Sequence, residues 1–337
     1  MRQTNTTITV PLWRQSLLPL AIALALAVMP LFLSGYLQDL VLRIVIYAIF
    51  ALSLELLVGM TGLVSLGHAA FFGIGAYVTV LGSPESEAGS VAALLPLAML
   101  AAGVYALAVG ALSLRTRGVY FIMVTLAFAQ LAYFVFHDTQ LGGGSDGIFL
   151  NVRPTLALAG QVLADLDNGL HKYWFSLAAL VLTYGLLALI RRSPFGHALA
   201  GIRINEDRMR ASGYRTYFYK LAAFVIAGML AGLSGFLMAA KNGGVNPEFL
   251  SWHESGAVLL MIILGGLGSL RGAVLGTVAF VLLKEFFSSA ALLGRVADHW
   301  QMTLGLSMIF LVAWLPDGLI GAGRRVAGIW RRIRRQP

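Results

Sequence analysis

Apolar runs close to 20 residues long recur from near the N-terminus to residue 315, and no other feature limits the fold so sharply. A bilayer core of about 30 Å takes roughly 20 residues of α-helix to cross, and within it every backbone N–H and C=O must find a partner inside the protein. The runs lie at 17–33, 40–58, 62–81, 91–113, 118–137, 173–190, 218–240, 252–267, 272–287 and 300–315. They predict an all-α fold, a polytopic transmembrane helix bundle of about ten membrane segments, with 1–337 forming one membrane domain. Composition agrees, since 58% of residues are hydrophobic and 12% charged, whereas soluble domains carry about 25% charge. Arg2 and Arg14 before the first run give it the outline of a signal peptide. Its length, the spans that follow at once and the lack of a small-residue cleavage site make it an uncleaved first span.

The formal charge of +9 raises nucleic acid as a partner, but the basic residues sit in connections and a tail, without the interleaved aromatics that track a strand. Orientation explains them better. With ten crossings and both termini cytoplasmic, 18 of the 24 Lys and Arg fall inside, a strong positive-inside bias. The cytoplasmic set then includes 16 N-terminal residues, the loop 191–217 and a basic tail at 324–337 that suits anionic lipid. The parity needs the stretch 252–287 to be broken at Gly265-Gly266-Leu267-Gly268-Ser269-Leu270-Arg271-Gly272, either as two spans or as a re-entrant pair. The polar segment 138–172, with Gly142-Gly143-Gly144-Ser145-Asp146-Gly147, falls outside.

Several residues carry more than hydropathy. Gly59 to Tyr77 places five glycines and His68 in or beside one span, where Gly62 and Gly67 would let helices approach closely. An imidazole in the membrane is costly enough to be a functional candidate, and Ser65 three residues earlier would share its helix face. Thr125 and Gln130 in the fifth span could line a path or serve as interhelical glue, and Glu55 near the inner end of the second span suits snorkelling. Gly268, Gly272 and Gly276 repeat every fourth residue as a packing ridge. In the loop 191–217, Ile202 to Ala211 can form one short charged helix closed by Gly213, either an ordinary solvated loop or an element on which a soluble partner pushes.

Catalytic readings find little support. No Gly-Lys-Ser or Gly-Lys-Thr occurs, so no phosphate-binding loop can form, and any ATP and Mg would be held by partner subunits. His253-Glu254 opens like a zinc-protease motif, but Ala257 stands where the second ligand belongs, and with no Cys there is no thiolate chemistry. Gly232-Leu233-Ser234-Gly235 has the shape of an intramembrane serine-protease motif, which would need a His facing Ser234 from another helix. An ion-coupled secondary transporter is the other rival, and it would show a carboxylate buried near mid-bilayer and an inverted repeat.

An ordered set of segments resembles the permease subunits of branched-chain amino-acid ABC importers, the LivH/LivM type and more specifically the LivM-like subunit. They are Gly62 to Phe72 with Gly75-Ala76-Tyr77, Arg117 to Phe128, Gly143 to Gly147, Ser193-Pro194-Phe195-Gly196 with Ile202-Arg203 and Asn205-Glu206, Tyr219 to Phe224, and Leu264 to Ser269. The resemblance runs from about residue 55 to 320. It implies a bacterial inner-membrane subunit, not itself an enzyme, working with a second permease, two cytoplasmic ATPases and a periplasmic solute-binding protein. It also implies that Ile202 to Gly213 is the cytoplasmic coupling helix, with Arg203, Glu206, Asp207 and Arg210 carrying the docking contacts and Gly213 ending it. Gly142 in place of the family's usual Thr, and the charged run Glu206 to Arg210 in place of an alanine-rich one, leave the solute open among branched-chain amino acids, urea and short amides. Movement of the coupling helix would rock the spans about a central path, with Ser65, His68, Thr125 and Gln130 as candidates to line it.

Overall fold

A computed structural model describes residues 27–84, 86–158, 161–289, 293–315 and 318–321. Most of the run at 17–33, the 16 leading residues and the basic tail at 324–337 lie outside them. The helices are α1 (Gly35–Thr61), α2 (His68–Leu81), α3 (Val91–Ser113), α4 (Val119–Asp138), α5 (Gly169–Arg192), α6 (Pro194–Ile204), α7 (Glu206–Ala211), α8 (Thr216–Asn242), α9 (Trp252–Gly265), α10 (Leu270–Ser288) and α11 (Trp300–Trp314). Among the described residues, six helices are long and apolar enough to cross a membrane, which establishes a polytopic membrane protein.

Two of the expected spans take a different form. The run 62–81 becomes helical only at His68, because Gly62 closes α1 in a left-handed conformation (φ 76°) and the chain stays irregular to Gly67. A 14-residue helix is about 21 Å long, so α2 is a half-length helix with an unwound lead-in. Irregular backbone at membrane depth is tolerated where protein buries it, and here Gly67 lies against the Thr125 carbonyl so closely that a Cβ would collide. The stretch 252–287 breaks where the glycines predict, α9 and α10 meeting at 116° to form a hairpin.

The middle of the bundle is α1 and α8, both buried over most of their length. Small residues make that possible where apolar lipid supplies little hydrophobic drive between helices. A Cβ at Gly232 would stand 2.6 Å from that of Ala102 on α3, while Gly75 of α2 abuts Gly232 and Gly235 abuts the Phe72 carbonyl. Gly272 and Gly276 of α10 pack on Gly265 and Met261 of α9, so that ridge joins two arms of this chain. Gly62 and Gly268 instead supply positive φ at turns.

The helix ends sort into two faces. At one, the last turn of α3 meets the start of α8 (Tyr217 Oη donates to the Ala111 carbonyl, 2.9 Å), beside α6, α7 and the α9–α10 tip. At the other, Lys241 of α8 pairs with Asp39 of α1 at 2.7 Å and Arg43 with Glu285 at 3.9 Å. The segment 138–172 caps this second face with strands that an all-α expectation omits: β1 (Ile148–Phe149) pairs antiparallel with β4 (Gly244–Val245), and β2 (Thr155–Leu158) with β3 (Gln161–Asp165). Arg153 Nε holds the cap by donating to the Ala240 carbonyl at 3.0 Å.

Candidate functional site

The charged face is built from a helix pair, not the single helix expected over 202–211. Ser193 caps α6, accepting from the Gly196 N–H at 3.2 Å, with Pro194 in the first turn where its missing N–H costs nothing. Asn205 then leaves the helical region (φ −158°), and its side chain accepts from the Arg208 N–H at 2.9 Å to start α7. A side chain that can bond the backbone locally competes with helix continuation, which is why the break falls there. Gly213 (φ 88°) ends the unit.

Two of the residues expected to carry docking contacts turn toward their own chain. The Arg203 guanidinium donates through Nη1 to the Gly59 carbonyl at the end of α1, and its side chain lies across Gly62 and Gly268. It therefore clamps α6 to the α1 terminus and to the tip of the α9–α10 hairpin. Glu206 Oε1 takes Lys220 Nζ at 2.8 Å, Arg210 Nη2 at 2.8 Å and Thr216 Oγ1 at 2.9 Å, which fastens α7 to the first turn of α8. Burial alone would raise the Glu206 pKa; the Lys220 and Thr216 bonds and the charges of Lys220 and Arg210 outweigh it and lower it. Asp207 remains outward, and Arg210 is half exposed. The sequence reading missed Ile204, which projects from the α6–α7 corner with 84% of its surface exposed, and the exposed Tyr214 and Phe218 nearby. The available signal was an isoleucine set between Arg203 and the polar run Asn205 to Arg210.

Glu55 does not snorkel. Only 2% of it is exposed, and its carboxylate lies beside the backbone amides of Gly268 and Ser269 at the hairpin tip, with Oε2 left without a hydrogen-bond partner. The end of α1 that carries Glu55 is enclosed by α6 and the hairpin tip, which leaves the side chain buried.

The path candidates are placed deep in the packing. Ser65, His68 and Thr125 have no exposed surface, and only Gln130 is partly exposed. Ser65 is not on the helix with His68; its Oγ accepts from the Gly67 N–H at 3.2 Å in the unwound lead-in. Thr125 Oγ1 donates back to the Ile122 carbonyl at 2.9 Å. His68 stacks on Phe50, ring centroids 5.5 Å apart, with Nε2 2.8 Å from Ser53 Oγ. Ser53 Oγ also donates to the Phe50 carbonyl at 2.7 Å, and His68 Nδ1 has no hydrogen-bond partner.

The protease geometry is not present. Ser234 is buried, and its hydroxyl donates to the Ala231 carbonyl one turn back at 2.7 Å. Among the described residues no group of three or more His, Asp and Glu side chains is placed to hold a metal ion.

The family described as the permease component of the branched-chain amino acid transport system matches residues 36–313. Over 326 residues the chain is 30% identical to the high-affinity branched-chain amino acid transport system permease protein LivM of Salmonella typhimurium, an alignment covering 91% of this chain and 75% of that one. It is 23% identical to the protein BraD of Pseudomonas aeruginosa, over 85% of this chain and 96% of BraD. A shorter likeness, 26% over 42% of this chain and 36% of the relative, is to the xylose transport permease XylH of Escherichia coli. No solved structure matches.

Proposed function

Because the chain belongs to the family of branched-chain amino acid transport permease components, we propose that it is one of two permeases in an inner-membrane ATP-driven importer of branched-chain amino acids or related small solutes. Two ATPases would bind its basic face and a solute-binding protein the opposite one. ATP and Mg would reside on those ATPases. The reading takes ten crossings with both termini cytoplasmic, α9 and α10 counting as two, since the hairpin tip lies beside Arg203 at the basic face.

The observation that carries the coupling is the Arg203 clamp. ATPase closure would press on Ile204, Asp207 and Tyr214 at the exposed corner, and Glu206, Arg210 and Gly213 would keep α7 in shape under that load. Arg203 would pass the movement to the end of α1 and to the hairpin tip, rocking packed elements as rigid bodies between two arrangements. A path between two permeases would take Gln130 as lining, while Ser65, His68 and Thr125 fix α2 behind it.

Affinity purification of the tagged chain in mild detergent should recover a second permease and two nucleotide-binding subunits with ATPase activity. Ile204→Asp combined with Asp207→Arg should lose the nucleotide-binding subunits and keep the second permease. Recovery of the chain alone, moving solute in liposomes without ATP, would refute the importer and favour ion-coupled transport.

A further inference from the structure

A cavity of about 160 Å³ lies between α1, α8, α9 and α10, on the side away from the Arg203 clamp. One wall is apolar, formed by Met238, Phe249, Met261, Phe280 and Val281. The other carries Arg43, Tyr47, Glu254, Lys284 and Glu285. Two of these charges are already matched: Arg43 lies 3.6 Å from Asp39 and 3.9 Å from Glu285, which also receives the Tyr36 hydroxyl.

Glu254 and Lys284 are different. Glu254 Oε2 receives only the Tyr47 hydroxyl at 3.1 Å, and Lys284 Nζ sits 5.3 Å from the centre of the Trp300 ring. Among the described residues neither belongs to an ion pair, with each other or with any other side chain. One charge stands near the start of α9 and the other near the end of α10, on the two arms of one hairpin, facing the same cavity. An ionised group at membrane depth is expensive unless paired. A purely structural pair would close the gap.

What fits a separated anion and cation beside an apolar wall is a small molecule carrying one cation, one anion and an aliphatic chain. We propose that this cavity binds the free α-amino acid, its ammonium on Glu254 and the Tyr47 hydroxyl oxygen, its carboxylate on Lys284, and its side chain against Met238, Met261 and Phe280. The site rests on the amino-acid reading of the importer and adds to it a selective contact within the permease. It also gives the hairpin a purpose at each end, since the arms that hold the solute meet at the tip that Arg203 grips.

The test uses the complete importer purified with its ATPases, in nanodiscs without the binding protein, and radiolabelled leucine as probe. Glu254→Gln and Lys284→Met should each weaken leucine binding on the order of 10-fold or more, the loss of one charge-assisted contact. The decisive reading is discrimination. Leucic acid, which has a hydroxyl in place of the ammonium, should compete poorly with leucine on the wild type and at least 10-fold better, relative to leucine, on Glu254→Gln. Isoamylamine, which lacks the carboxylate, should gain in the same way on Lys284→Met. Subunit recovery and elution volume of both variants check the fold. If the wild type, reconstituted in parallel into proteoliposomes with its binding protein, imports leucine and the variants keep its binding or its discrimination, or lose uptake without a change in discrimination, the site is overturned and the importer stands. A wild type that imports no amino acid overturns the functional reading and the site with it.

Discussion

Glu206 offers a measurement of how firmly the coupling element is fixed to the bundle. Its Oε1 meets Lys220, Arg210 and Thr216 at 2.8, 2.8 and 2.9 Å. Arg210 is 46% exposed, so its pair is screened and contributes at most about 1 kcal/mol. Lys220 is different, with 8% of its side chain exposed against 22% for Glu206. Breaking a buried ion pair by deleting one partner costs about 3–5 kcal/mol, most of it the penalty of the stranded charge. The partial exposure of Glu206 argues for the lower end, so Glu206→Ala should cost about 3 kcal/mol. Glu206→Gln keeps an oxygen that accepts from Lys220 and should cost about 1–2 kcal/mol. Lys220→Met added to Glu206→Ala removes the stranded cation and should recover part of the loss, a coupling of about 2 kcal/mol. The assay is the thermal midpoint of the purified importer together with the ratio of solute imported to ATP hydrolysed. The expected order is wild type, Glu206→Gln, the double variant and Glu206→Ala last, with ATPase activity retained and import reduced as α7 comes loose. A double variant no more stable than Glu206→Ala would refute the stranded-charge account, and an unchanged import ratio would refute the role of α7 in coupling.

The same carboxyl predicts a pH dependence: its folded value lies below the ordinary 4.5, so its stabilisation is present above that value and is lost as pH falls through the lower folded one. Thermal midpoints of wild type and Glu206→Gln should therefore converge as the pH is lowered below 4.5, whereas parallel curves would contradict the sign. Gly276→Leu should cost about 1–3 kcal/mol and loosen the hairpin, because its Cβ meets the Met261 carbonyl, while Gly256→Leu, with nothing within 4 Å, should be tolerated; yield and thermal midpoint separate the two. Ser53→Ala should cost about 1–3 kcal/mol by leaving both His68 nitrogens unpaired, and adding His68→Leu should recover stability, read as the same midpoint.

The sequence by itself determined the membrane class, where most of the described helices run, the break in 252–287 and the separation of the loop 191–217 from the polar segment 138–172. Each of these is a sum over neighbouring residues: hydropathy over about 20 positions, charge over a loop, glycine at a turn. Short-range competition was harder to read, as at Asn205, where a local cap outbids helix continuation, and at Gly62 to Gly67, where apolar residues run on through unwound chain. Only the tertiary structure decided what faces what. Glu55 looks like a snorkelling residue until the hairpin tip closes over it, and Arg203 like a docking residue until α1 and Gly268 come within its reach. Glu254 and Lys284 stand 30 positions apart and share no motif. Folding back at the Gly265–Gly272 turn brings them to one cavity, because contact across a bundle depends on which helices pack, and that is set by small-residue seams distributed along the whole chain.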